Sequence, residues 1–155
     1  MKITGEKGMA CILKIMLQIA MILGGILLVL LPWFVNIFNL HFDLFIILIY
    51  PCGISFLYIV YQFIGLFNSL KVNNPFCIDN VKRMKNGMRA SYLISLLIFI
   101  ALFMSIFVYD YYTLQLQVAL LFLSILFFCV GIALYILSEL FKEAIMYKEE
   151  NELTI

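Results

Sequence analysis

The sequence predicts an all-α fold, an integral membrane four-helix bundle, and three observations lead to this class. Hydrophobic residues make up 66% of the 155 residues and charged residues only 12%, whereas a soluble domain carries about 25% charged residues. Mean hydropathy is +1.12. Apolar runs such as 21–35 and 93–108 offer no polar face to water, which is typical of membrane spans. We therefore expect a single membrane domain over residues 1–155.

The first predicted span covers residues 10–38. Its apolar run is longer than the about 7–15 apolar residues of a secretory signal peptide, and no Ala-x-Ala cleavage site follows it. We therefore expect it to be retained, with Lys14 near its start extending to the headgroups. The turn that follows, residues 36–43, contains His41 but no Lys or Arg. A single His without further ligands makes a poor metal site, so we expect no metal and no cofactor.

The second predicted span covers residues 44–70 and contains the most polar side chains of any span. Pro51 lacks the backbone donor that an interior helical position needs, which predicts either a kink or a delayed helix start. Ser55, Tyr58 and Gln62 stand at i, i+3 and i+7, so they share one face and are expected to point inward. They would form either interhelical hydrogen bonds, which we favour, or a polar seam for a small ligand.

A basic segment, residues 71–89, separates the second span from the third. Its cations are Lys71, Lys82, Arg83, Lys85 and Arg89. Asn74 as N-cap and Pro75 at the first helical position predict a helix start. From Phe76 through Asn80 and beyond, apolar and polar residues alternate with helical spacing, which predicts a short amphipathic interfacial helix. Contact with anionic lipid headgroups explains these cations more simply than direct nucleic acid binding.

The third and fourth predicted spans cover residues 88–109 and 115–141, and an acidic tail follows over residues 142–155. Glu139, near the end of the fourth span, is expected to pair with a cation and so to anchor the tail to the basic segment. Three partners are considered for it: Lys142, Lys82 and Arg89.

The acidic tail has the opposite charge to the basic segment. Glu149 and Glu150 are expected to contact Lys82, Arg83 and Lys85, although screening weakens such contacts where they are exposed.

The distribution of cations predicts the orientation of the chain. Three of the ten Lys and Arg residues lie in the lead over residues 1–14, five in the basic segment and two in the tail, and none lies in the two remaining turns. Because cations collect on the cytoplasmic side, we expect a multi-pass protein of the cell membrane with both termini and the basic segment in the cytoplasm.

Two short motifs carry a resemblance to a known family. The first is Asn-Pro-Phe at residues 74–76, followed by Asp-Asn-Val-Lys-Arg-Met-Lys at residues 79–85, and the second is the tail Lys-Glu-Glu-Asn-Glu-Leu-Thr-Ile at residues 148–155. In this order and spacing they resemble the bacterial membrane family known as domain of unknown function 2975. The resemblance implies four spans over the whole chain. Because members of the family are often encoded beside a small helix-turn-helix regulator, it also implies a cytoplasmic transcriptional regulator as partner.

Enzyme chemistry has no basis in the sequence. It contains no nucleophile-base pair with an orienting group, no phosphate-binding glycine loop and no pair of carboxylates inside a span. We therefore expect a non-enzymatic membrane protein, a sensor or regulatory partner of a cytoplasmic protein. The alternative is a small transporter, efflux or immunity protein that binds an apolar ligand or lipid. The oligomeric state is left open, with a homo-oligomer as one possibility.

Overall fold

The computed structural model contains four α-helices. It describes residues 9–37, 43–71, 76–107 and 114–153, with side chains described over 11–33, 47–69, 76–107 and 114–150. The helices are α1 (Met9–Ile37), α2 (Asp43–Lys71), α3 (Ile78–Phe107) and α4 (Leu114–Leu153). Each is long and apolar enough to cross a membrane, and the described residues include no strand. The prediction of an all-α protein with four membrane-spanning helices is confirmed, and the chain is a multi-pass membrane protein.

Helix α3 differs from the prediction at its start. The sequence predicts a short interfacial helix ahead of a separate third span, whereas the structure contains one continuous helix from Ile78 to Phe107. The helix begins after Cys77, whose carbonyl oxygen accepts the backbone hydrogens of Asn80 and Val81 at N···O distances of 3.0 and 3.4 Å. Asp79 in the first turn complements the helix dipole. The predicted start at Asn74 and Pro75 falls outside the described residues.

Helices α1 and α2 follow the predicted spans to within one residue at each end, whereas α4 continues well past its predicted span. Helix α2 contains Pro51 and nevertheless runs unbroken from Asp43, so its start is not delayed. Helix α4 extends to Leu153, twelve residues beyond the predicted end of the span. The sequence has no Pro or Gly after Gly131, so no helix breaker interrupts this extension.

The helices form an antiparallel row in which close backbone approach occurs only between consecutive helices: α1 with α2, α2 with α3 and α3 with α4. A closed bundle would also bring α1 against α4, and within the described ranges it does not. The reason lies in α2. Gly53 packs against Leu28 of α1, whereas Gln62 lies by Met84 and Gly87 of α3. Nine residues at 100° each put Gly53 and Gln62 on opposite sides of α2, so α1 and α3 flank it.

The core lies where α2, α3 and α4 meet. Ile59, Ala90, Ile94 and Ile98 form its buried centre, and Phe127 of α4 packs edge-on against Phe56 of α2 with ring centroids 6.4 Å apart. The antiparallel order brings the start of α1, the end of α2, the start of α3 and the end of α4 to one end of the molecule. This end, called the cation-rich end below, holds Lys14, the basic segment and Lys142 and Lys148.

Candidate functional site at the cation-rich end

A seam of small side chains fixes α3 against α4 and thereby sets the level of the groups at the cation-rich end. Eight of the eleven buried residues of α3 recur at alternating intervals of four and three, and Val81, Ala90 and Ser95 lie beside them: Asn80, Met84, Gly87, Ser91, Ile94, Ile98, Ala101 and Ser105. Facing them on α4, small or polar residues recur every seven positions: Gln117, Ser124, Gly131 and Ser138. A seven-residue repeat is typical of left-handed helix pairs, and small residues let membrane helices approach closely.

Two contacts show how close this approach is. A Cβ atom at Gly131 would stand 2.5 Å from Cε1 and 2.7 Å from Cδ1 of Tyr92, so the tyrosine ring occupies the space that any side chain would need. The second contact lies further from the cation-rich end. The Ser95 hydroxyl donates to the Ser124 carbonyl oxygen at 2.9 Å, and the Ser124 hydroxyl donates to the Ser95 carbonyl oxygen at 3.1 Å. This reciprocal pair satisfies both hydroxyls inside the apolar region.

An ion pair joins the two helices at the cation-rich end. Lys85 Nζ of α3 lies 3.0 Å from Glu139 Oε1 of α4, and the two side chains are 37% and 36% exposed. Glu139 therefore pairs with a cation of the basic segment, as the sequence predicts. Lys85, however, takes the place of the predicted partners Lys142, Lys82 and Arg89. The antiparallel register explains the difference, because it sets Lys85 directly opposite Glu139. Lys82 instead pairs with Asp79 at 3.9 Å.

Arg83 and Asn80 connect α3 to α2 rather than to the surroundings. The Arg83 guanidinium lies against the backbone of Gly65, where a β-carbon would collide with it. The Asn80 side chain is fully buried, and its Oδ1 accepts a hydrogen bond from the Ser69 hydroxyl at 3.0 Å. Since a buried amide is costly unless it is hydrogen-bonded, Asn80 holds the end of α2 to the start of α3. Both residues act as interhelical contacts.

The predicted seam on α2 is brought together only in part. Ser55 and Gln62 are buried, 9% and 7% exposed, whereas Tyr58 is 44% exposed. Gln62 lies by Arg83 and Gly87, as expected of an interhelical residue. Tyr58 instead lines an open groove between α2 and α3 together with Asn86 and Arg89. At 100° per residue, Gln62 lies only 20° around the helix from Ser55, whereas Tyr58 lies 60° from Ser55. This rotation is enough to put Tyr58 outside the interface.

The acidic tail begins beside the first turn of α3 and continues beyond it. The rings of Phe76 and Phe141 pack with centroids 5.4 Å apart, and the register that sets Lys85 opposite Glu139 brings the first turn of α3 level with residues 143–146 of α4. Residues 147–153 extend about 10 Å further at about 1.5 Å per residue. The predicted contact of Glu149 and Glu150 with Lys82, Arg83 and Lys85 stays a prediction, while Lys82 pairs with Asp79 and Lys85 with Glu139.

The extension carries apolar side chains on its outer side. Met146 and Tyr147 are 46% and 66% exposed, while Ala144 and Ile145 are partly covered. Glu143 stands three and four residues before Met146 and Tyr147, so the three side chains share one helical side. Phe76, by contrast, is itself packed on Phe141 and belongs to the base of this extension.

The sequence analysis missed the seam of Gln117, Ser124, Gly131 and Ser138, and the signal for it was present in the sequence. Considered singly, each residue is an ordinary occupant of a membrane helix. Their common spacing of seven residues would have identified the face of α4 that packs on α3.

Comparison with known proteins adds the family. A family model described as "Protein of unknown function (DUF2975)" matches residues 16–155, which confirms the resemblance drawn from the sequence. Neither the curated proteins nor the solved structures yield a match.

Proposed function

The chain belongs to the DUF2975 family, and we propose that it is a non-enzymatic regulatory partner of a cytoplasmic protein, held in the cell membrane. In this proposal the cation-rich end faces the cytoplasm, because every Lys and Arg lies at that end or precedes α1. Both chain termini are then cytoplasmic as well.

The observation that carries the proposal is the extension of α4 past the start of α3. Residues 147–153 continue the helix beyond the first residue of α3, and Met146 and Tyr147 are exposed where this extension begins. Outside the bilayer, large apolar side chains on a helical surface favour contact with another protein. Because Glu143 lies beside them, the surface matches a partner that presents an apolar patch with basic residues around it.

The contacts below the extension give it a defined direction. Lys85 and Glu139 bind α4 to α3, and the Phe76 and Phe141 rings pack just before the extension begins. A helix that is fixed at its base loses less conformational freedom on binding than a disordered tail, which increases affinity. A small helix-turn-helix regulator is the kind of basic cytoplasmic protein that would bind there.

The experiment is a pull-down of a purified small helix-turn-helix regulator, the partner that the resemblance implies, with the chain reconstituted in nanodiscs. Tyr147→Glu should abolish retention of the regulator, because it puts a charge in the centre of the apolar patch. Phe122→Ala serves as the matched control, since Phe122 is an equally exposed aromatic of α4 (68%) inside the predicted span. Retention that is equal in both variants, or no retention by the unmodified chain, would contradict the proposal.

A further inference from the structure

The groove between α2 and α3 has the features of a binding site for an amphiphile. Its volume is about 420 Å³, within the about 300–1,000 Å³ of small-molecule sites. Ile54 and Tyr58 line it from α2, each two residues from Phe56, whose ring packs on α4. Two residues correspond to 200° of helix rotation, so the groove opens on the side away from α4, towards the surrounding lipid.

The lining of the groove changes from polar to apolar along its length. Asn86 and Arg89 enter from the third and fourth turns of α3, nearer the cation-rich end, and Leu93 follows one turn deeper. On the antiparallel α2, Tyr58 lies near the level of Arg89 and Ile54 near that of Leu93. The polar end of the groove therefore lies at the predicted headgroup level, where the third span was predicted to begin, and the apolar end points to the membrane centre.

Arg89 is the charged group of this groove. Its neighbours on the same helix are engaged, Lys85 with Glu139 and Lys82 with Asp79, and no described carboxylate lies within ion-pair distance of Arg89. An arginine guanidinium binds phosphate through two parallel hydrogen bonds, and basic pockets between membrane helices hold anionic lipid headgroups.

We propose that this groove binds one anionic phospholipid. The phosphate lies on Arg89, with the Asn86 amide and the Tyr58 hydroxyl as neighbouring donors, and an acyl chain runs inward over Ile54 and Leu93. An uncharged amphiphile would leave Arg89 without a counter-charge, and a free anion would leave the apolar half unfilled. The inference depends on the groove alone and is independent of the proposed regulatory role.

Native mass spectrometry of the detergent-solubilised chain with added phosphatidylglycerol or phosphatidylcholine tests the inference. The unmodified chain should bind a first phosphatidylglycerol at least about tenfold more tightly than phosphatidylcholine, and Arg89→Gln should remove this preference. Lys82→Gln is the matched control, since it removes a positive charge about two turns nearer the start of α3 and outside the groove. Equal preference in the two variants would overturn the proposal.

Two further measurements test the apolar half. Ile54→Trp should fill the groove and weaken phosphatidylglycerol binding about tenfold, whereas Ile47→Trp should leave it unchanged. Ile47 is as exposed as Ile54 (65% against 61%) and lies two turns away on the same side of α2. Circular dichroism confirms that the variants keep their helices. Water-soluble glycerol phosphate that binds as tightly as the lipid would refute a role for the acyl chain and with it the proposal.

Discussion

Gly131→Ala is the substitution that most directly measures how tightly α3 and α4 pack. The new Cβ would stand 2.5 Å from Cε1 of Tyr92, about 0.9 Å closer than the 3.4 Å at which ordinary van der Waals contact begins. The ring cannot simply retreat, because it also packs on Phe128 with centroids 5.6 Å apart. Overpacking of this kind costs about 1–3 kcal/mol, partly offset by about 1 kcal/mol of better helix propensity.

Gly25→Ala serves as a control that separates the energetic cost of overpacking from the gain in helix propensity. No atom lies within 4 Å of a Cβ at Gly25, so this variant gains the same propensity without a collision. The difference between the two variants is then the overpacking energy alone, about 1–3 kcal/mol. At about 2–4 °C per kcal/mol, Gly131→Ala should lose its folded form at least about 2 °C below Gly25→Ala.

The assay is thermal unfolding in detergent, followed by size-exclusion chromatography of heated samples. Adding Tyr92→Leu to Gly131→Ala should recover part of the lost stability relative to Tyr92→Leu alone, since the colliding ring atoms are then gone. Two outcomes would refute the contact of Tyr92 with Gly131. One is an equal melting temperature for both glycine variants, and the other is no recovery of stability when Tyr92→Leu is present.

Three further predictions concern contacts of α3. Ser124→Ala should cost about 0.6–1.7 kcal/mol, the range of hydrogen bonds between membrane helices, because it removes the hydroxyl that donates to the Ser95 carbonyl oxygen. Ser95→Ala removes the opposite donor and should cost a similar amount; an unchanged melting temperature in both variants would refute the reciprocal pair. Lys85→Glu should destabilise only slightly since the pair is exposed to solvent, and adding Glu139→Lys should restore stability in low salt; failure of this charge exchange would count against the pairing. Asn80→Ala should cost about 0.5–1.5 kcal/mol because its buried side chain accepts a hydrogen bond from the half-buried Ser69 hydroxyl, and an unchanged melting temperature would argue against the link between α2 and α3.

The sequence was sufficient to predict the spans because their signal is local. Runs of apolar residues of about 20 or more predict a membrane helix from composition alone, and the observed helices agree with the predictions for α1 and α2 to within one residue at each end. The extensions of α3 and α4 into polar sequence were harder to predict. A helix outside the membrane continues as long as nothing breaks it, and the change from apolar to charged residues at Asn86 and Glu139 marks the edge of the predicted span rather than the end of the helix.

The sequence could predict which kinds of contact join the helices, such as an ion pair at Glu139, but not which residues form them. Glu139 has a limited choice of cations nearby, but only the register of α3 against α4 selects Lys85. Similarly, the open row of helices depends on which sides of α2 receive α1 and α3, and an apolar membrane helix gives little indication of this because all its sides are hydrophobic. Glycine was the most informative residue here. Gly131 and Gly65 each receive a large side chain from the next helix.

The central claim is that the cation-rich end of four spanning helices faces the cytoplasm, and thiol labelling of single-cysteine variants in intact cells tests it most directly. Three variants are needed: one that keeps only Cys77, one that carries only Glu150→Cys, and one that carries only Asn39→Cys in the first turn. A membrane-impermeant maleimide should label Asn39→Cys in intact cells, and the other two only after the membrane is permeabilised. Labelling of Cys77 from outside, or labelling of all three positions from the same side, would contradict the account.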